Sequence, residues 1–133
     1  MSKQFEVAVV GAGPAGYHAA IRAAQLGLKT VCIDRWVDAD GQAVLGGTCL
    51  NVGCIPSKAL LDTSHKFSQA QSEFEALGIR TQGLALDVPQ MQRHKDTIVQ
   101  NLTKGVSGLL KSNGVEVVTG TATLQAGKLL QVT

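Results

Sequence analysis

Three groups of residues in this 133-residue sequence have types and spacings suited to chemistry. The first is Gly11-Ala12-Gly13-Pro14-Ala15-Gly16, a G-x-G-x-x-G turn. In such a turn Gly11 permits a sharp exit from a strand and Gly13 lets a pyrophosphate approach the backbone without meeting a Cβ. Gly16 lets the following helix pack closely on a sheet. The free N–H groups and dipole at the helix start then attract a phosphate anion. Pro14 is tolerated in that first turn because its missing donor would have no intrahelical partner. The second group is Asp34, 18 positions after Gly16. A carboxylate there accepts from ribose hydroxyls and repels a 2′-phosphate, which argues against NADP at this turn. The third is the pair Cys49 and Cys54, separated by Leu50-Asn51-Val52-Gly53. A tight turn leading into a helix can bring such cysteines within the roughly 4.4–6.8 Å between Cα atoms that a disulfide needs.

Cys54 falls at a predicted helix N-terminus, just before Pro56. A helix dipole there stabilises a thiolate and lowers the thiol pKa. One sulfur exposed for exchange and one held as a stable thiolate would make a redox dithiol. Two other readings stay open at this point, a metal pair and two inert buried thiols. A metal site would call for a second pair of ligands, and His18, His65 and His94 are scattered. They read as ordinary surface or helix residues, so no metal is expected. Cys32 lies in an apolar run and reads as inert core.

The elements that must position these residues are legible from patterning. Residues 5–10 are almost continuously apolar, as in a parallel strand covered on both faces. A helix is predicted over 14–26, with Gly27 as its C-terminal stop. Ala19, Ala20 and Ala23 should help Gly16 bring it close to the sheet. A second buried strand at 30–33 ends at Asp34, completing a strand–turn–helix–strand unit with a parallel pair. Residues 35–45 read as polar and irregular. A helix follows over about 54–71, with Ala59, Leu60, Phe67 and Ala70 at helical spacing, and residues 77–89 read as loop. A second long helix over 91–111 places Ile98, Val99, Leu102, Val106, Leu109 and Leu110 on one face and stops at Asn113-Gly114. Strands at 115–119 and 121–124, a turn at 126–127 and a strand at 129–132 close the sequence. The last strand runs to the final residues, so a longer protein is expected.

Composition excludes other classes. With 44% apolar and 17% charged residues the chain can bury a core. A net charge of +2 with scattered basic residues, and only 4% aromatics, leaves no footprint for a nucleic-acid partner. Three cysteines do not make a secreted disulfide scaffold. Neither a signal peptide nor a membrane span is visible, so no membrane partner is expected. The cytoplasm is the expected location, or the mitochondrial matrix where a transit peptide precedes this sequence.

GAGPAG after the first strand, followed by GGTCLNVGCIPSKALL at residues 46–61, resembles the pyridine nucleotide–disulfide oxidoreductases. Within them the likeness is greatest to the dihydrolipoamide dehydrogenases of 2-oxo acid dehydrogenase complexes. Leu50, Ile55 and Ser57 carry that distinction from glutathione reductases, with mercuric reductases nearer. The likeness implies an α/β fold: part of a Rossmann-like FAD-binding domain with a parallel sheet, a redox-disulfide helix and the start of a β-meander. It implies FAD rather than NAD at the turn, and NAD as co-substrate at a site outside this sequence. Carried over by position, Gly11, Gly13, Pro14, Ala15 and Gly16 hold the pyrophosphate and Asp34 the adenosine ribose. Gly47 and Thr48 contact the middle of the cofactor, Lys58 faces the flavin N5 edge, and Ala122 meets the adenine through its backbone. Cys54 becomes the flavin-proximal sulfur and Cys49 the interchange sulfur of a redox disulfide. The implied partners are a second copy of the protein and the dihydrolipoyl domain of 2-oxo acid dehydrogenase or glycine cleavage complexes. Two features depart from the family pattern: Asp34 stands where Glu is usual, and the segment 35–45 is longer than common.

Overall fold

Short valine- and isoleucine-rich runs bounded by glycines form a three-stranded parallel sheet, and longer stretches with helical periodicity pack on it. The computed structural model describes residues 2–133. In chain order these are β1 (Val7–Val10), α1 (Pro14–Gln25), β2 (Thr30–Asp34), α2 (Gly47–Asn51) and α3 (Cys54–Ser72). A 3₁₀ turn at Glu75–Leu77 leads to α4 (Val88–Ser112), β3 (Glu116–Thr119), β4 (Ala122–Gln125) and β5 (Leu129–Val132). The sheet order is β1-β2-β3, with Val9 beside Cys32 and Cys32 beside Val117. β4 and β5 pair antiparallel as a separate hairpin, the expected opening of a meander. The expected α/β architecture is therefore present. No helix among the described residues is long and apolar enough to cross a membrane.

The central strand β2 buries Thr30, Val31, Cys32 and Ile33. Around it Ala12, Ala20, Leu50, Val106, Leu110 and Val115 complete the core, so α1, α2 and α4 are all anchored to one cluster. β1 is different. It begins at Val7 rather than at residue 5, and its burial alternates, with Val10 58% exposed. As the outer strand it is covered on one face only, which corrects the expectation of burial on both. Phe5 and Glu6 instead grip the start of β2. The Glu6 N–H donates to the Lys29 carbonyl at 2.9 Å, the Lys29 N–H donates to Glu6 Oε2 at 2.7 Å, and the Lys29 ammonium lies 5.3 Å from the Phe5 ring.

Three further segments differ from expectation. In α1, Ala20 is buried and Ala24 packs against the core, while Ala19 faces out. α4 starts at Val88, three residues before the predicted start, because Asp87 Oδ1 accepts from the Gln90 N–H at 2.9 Å and Pro89 fits the first turn. Its buried stripe is Thr103, Val106 and Leu110, and Leu102 and Leu109 lie outside it. Residues 35–45 are also more ordered than a polar loop. Val37 and Ala43 form an antiparallel bridge, and Asp38 Oδ1 accepts from the N–H groups of Asp40 at 3.0 Å and Gln42 at 2.8 Å.

Candidate functional site: a glycine turn joined to a cysteine pair

The turn after β1 is built for close approach. The Gly11 N–H donates to the Ile33 carbonyl at 2.7 Å, and Gly11 holds φ +99°, where L side chains are strained. A Cβ on Gly16 would lie 1.7 Å from the Gly11 carbonyl oxygen, so α1 approaches the strand exit as only glycine allows. Pro14 opens α1, and no side chain caps its N-terminus. The Tyr17 N–H already donates to Gly13 at 3.0 Å. The N–H groups of Ala15 and Gly16 precede it and have no intrahelical acceptor. An anion at this end would meet main-chain donors and a helix dipole.

Asp34 closes the other side. Its Oδ2 accepts from the Ala12 N–H, its Oδ1 accepts from the Trp36 N–H at 2.8 Å, and its carbonyl accepts from the Gly120 N–H at 2.9 Å. A cleft of about 310 Å³ opens here, lined by Val10, Gly11, Ile33, Asp34, Arg35, Gly120, Thr121 and Ala122. The structure thus brings Gly11, Asp34 and Ala122 together although they are distant in sequence. Arg35, Gly120 and Thr121 belong to the same cleft and were not singled out from sequence. For Gly120 the available signal was a glycine between two predicted strands.

The cysteine segment is fastened directly to this turn. The Gly46 N–H donates to the Ala12 carbonyl at 2.9 Å, and a Cβ on Gly47 would lie 2.8 Å from Gly13 Cα. Leu50 anchors α2 in the core, and Asn51 Nδ2 donates to the carbonyls of Gly47 at 2.9 Å and Leu45 at 3.2 Å. Gly53 then lets the chain fold back, since a Cβ there would sit 3.0 Å from the Thr48 carbonyl oxygen. The fold-back brings Cys54, first residue of α3, to Cys49. The Cys49 thiol is pushed up chiefly by its side-chain hydrogen bond with Cys54, then by burial and by charge on Cys54. A backbone hydrogen bond and the Lys58 ammonium act in the opposite direction. Cys49 is half-buried against the core and Cys54 is exposed. In this chain by itself, then, the sulfur expected to be open for exchange is the more covered one, because Cys54 opens a surface helix while Cys49 sits beside buried Leu50. Thr48 and Lys58 are both exposed.

Cys32 is remote in character. It is fully buried, and its thiol is pushed up to about 11 by burial first and by Asp34 second. His18, His65 and His94 are exposed. His18 Nδ1 lies 2.6 Å from the Pro14 carbonyl oxygen. Among the described residues no three His, Cys, Asp or Glu side chains form a metal-binding group.

The pyridine nucleotide-disulphide oxidoreductase family model matches residues 5–132. Dihydrolipoyl dehydrogenase 2, mitochondrial, of Arabidopsis thaliana is 52% identical over 115 residues, covering 86% of this chain and 22% of that protein. The dihydrolipoyl dehydrogenase of Cupriavidus necator is 51% identical over 122 residues, covering 90% of this chain and 26% of that one. The solved Cu(II) complex of the HOCl-induced flavoprotein disulfide reductase RclA from Escherichia coli superposes with a TM-score of 0.71 at 25% identity. That match covers 96% of this chain and 24% of RclA. The chain therefore spans about a quarter of the length of the curated relatives it matches. By its sequence, its fold and the junction of its two motifs, the chain belongs to the pyridine nucleotide-disulphide oxidoreductase family.

Proposed function

We propose that this chain is the N-terminal part of the FAD-binding domain of a dihydrolipoyl dehydrogenase, a homodimeric flavoprotein that oxidises dihydrolipoyl groups with NAD. The observation that carries the reading is the contact between Gly47 and Gly13, which makes the nucleotide turn and the dithiol one site. Cysteines with a purely structural task would not need to be docked on a phosphate-binding turn. The donor set suits FAD. Gly11, Gly13, Pro14, Ala15 and Gly16 would hold the pyrophosphate, Asp34 the ribose and the Ala122 backbone the adenine. Gly47, Thr48 and Lys58 would face the remainder. The open sides of Cys54 and Lys58 fit residues that a flavin ring covers.

When bound, FAD supplies a two-electron carrier between the dithiol and NAD. The sulfur chemistry belongs to the chain. With the pair oxidised, a dihydrolipoyl thiolate attacks Cys49, forming a lipoyl–Cys49 bond and releasing the Cys54 thiolate. The second lipoyl thiolate attacks the first lipoyl sulfur, closing the ring and releasing Cys49. Two electrons have then passed from the dihydrolipoyl group to the cysteine pair, and its two thiol protons have left. Lys58 supplies positive charge that favours the thiolate at Cys49. The dihydrolipoyl domain of a 2-oxo acid dehydrogenase or glycine cleavage complex is the macromolecular substrate in this reading. The compartment would be the cytoplasm or the mitochondrial matrix.

The test is steady-state turnover of the full-length protein. Reduction of NAD by dihydrolipoamide, abolished in Cys49→Ser, is the expected result. Turnover of NADPH with glutathione disulfide or Hg(II), without lipoamide activity, would overturn the substrate assignment. The 133-residue chain by itself is expected to give no turnover, and substantial activity from it would contradict its place as one part of a larger machine.

A further inference from the structure

Gly120 joins β3 to the β4–β5 hairpin at φ +151°, and its N–H donates to the Asp34 carbonyl at 2.9 Å. A Cβ there would lie 2.7 Å from Val132 Cγ1 and 2.8 Å from the Thr133 carbonyl oxygen. The neighbouring Thr121 exchanges both main-chain hydrogen bonds with Thr133, at 2.8 and 3.1 Å. The hairpin is thereby fastened to the end of β2 at a point with no room for a side chain. Gly120, Thr121 and Ala122 line the 310 Å³ cleft together with Gly11, Ile33, Asp34 and Arg35.

We propose that Gly120 is a positioning residue for the adenosine half of the dinucleotide, setting the distance between Asp34 and the backbone of Ala122. The inference rests on the FAD reading above and deepens it. An added methyl group must push the hairpin outward, because the Thr133 oxygen is main chain and cannot rotate away. Weakening the polar contacts to adenosine by about 0.7–1.4 kcal/mol in total corresponds to a loss of about three- to tenfold in affinity.

The experiment uses full-length apoprotein titrated with FAD, FMN and ADP. In Gly120→Ala, binding of FAD and ADP should weaken about three- to tenfold while FMN, which lacks adenosine, binds as in wild type. Adding Val132→Ala, which removes the nearest obstructing atom, should restore part of the loss. Unchanged FAD binding, or equal weakening of FAD and FMN, would overturn the role of Gly120. Should the alanine variant fail to fold, amide exchange in the wild type decides. ADP should slow exchange at Gly120 and Thr121, and exchange unchanged by bound ADP would overturn the inference. Wild-type protein that binds neither FAD nor ADP would instead overturn the dinucleotide reading, and this inference with it.

Discussion

Two glycine turns meet in this molecule and use glycine for different ends. At residues 11–16 the groups left free to meet a ligand are main-chain atoms, and the glycines keep side chains out of the way. Gly16 sits so close to Gly11 that a single methyl would overlap the carbonyl oxygen. At residues 46–53 the glycines permit close packing in order to aim side chains: Gly47 seats α2 on the first turn and Gly53 folds Cys54 back toward Cys49. The first turn ties its function to the fold itself. The second separates them, because Cys54 and Lys58 are exposed and contribute little to the core.

Substitutions can break that contrast in a graded way. Gly16→Ala should cost the most, since a Cβ at 1.7 Å from a main-chain oxygen forces the helix off the strand. A loss at or beyond the upper end of about 1–3 kcal/mol is expected in urea denaturation. Gly47→Ala should cost about 1–3 kcal/mol, through the 2.8 Å approach to Gly13 and the strain of φ +59°. It should also loosen FAD and lower disulfide reactivity together, because it parts the two motifs. A Gly47→Ala protein that keeps both would mean the junction is incidental. Cys54→Ser lies at the other extreme: exposed and outside the core, it should move stability by no more than about 0.5 kcal/mol while ending disulfide turnover.

The smallest effect sharpens the electrostatic side of the second turn. The Cys49 thiol is raised and the Lys58 ammonium partly opposes the rise. In reduced protein, alkylation of Cys49 by iodoacetamide should therefore gain rate only at higher pH than an ordinary thiol. Lys58→Met should shift that rise further upward. Cys32, held up to about 11, should resist alkylation until the protein unfolds. Alkylation of Cys49 that is indifferent to Lys58 would show that the ammonium does not act on the pair.

Both turns were legible in the sequence because their signals are local. G-x-G-x-x-G between an apolar run and an alanine-rich helix, with an acid at the end of the next strand, needs no tertiary information. What sequence hid was cooperative. α2 spans five residues, too few for a helical pattern to repeat, and it is held by Leu50 in the core and Asn51 on two carbonyls. Residues 35–45 owe their order to the Asp38 side chain at the turn together with the antiparallel bridge between Val37 and Ala43. The true start of α4 was disguised by Pro89, which reads as loop until Asp87 is recognised as the cap. Thr103 in the buried stripe of α4, with Leu102 and Leu109 outside it, shows that residue type alone fixes a helix face only to within one position. Gly120 could be seen as a turn, but its bond to Asp34 across the sheet could not.

The central claim is that Cys49 and Cys54 form a redox disulfide at the flavin. Absorbance of the full-length holoprotein during anaerobic reduction by two electrons tests it most directly. A long-wavelength band from a thiolate beside oxidised flavin should appear in the wild type and be absent in Cys54→Ser. A flavin that bleaches directly in the wild type, with no such band, would contradict the account.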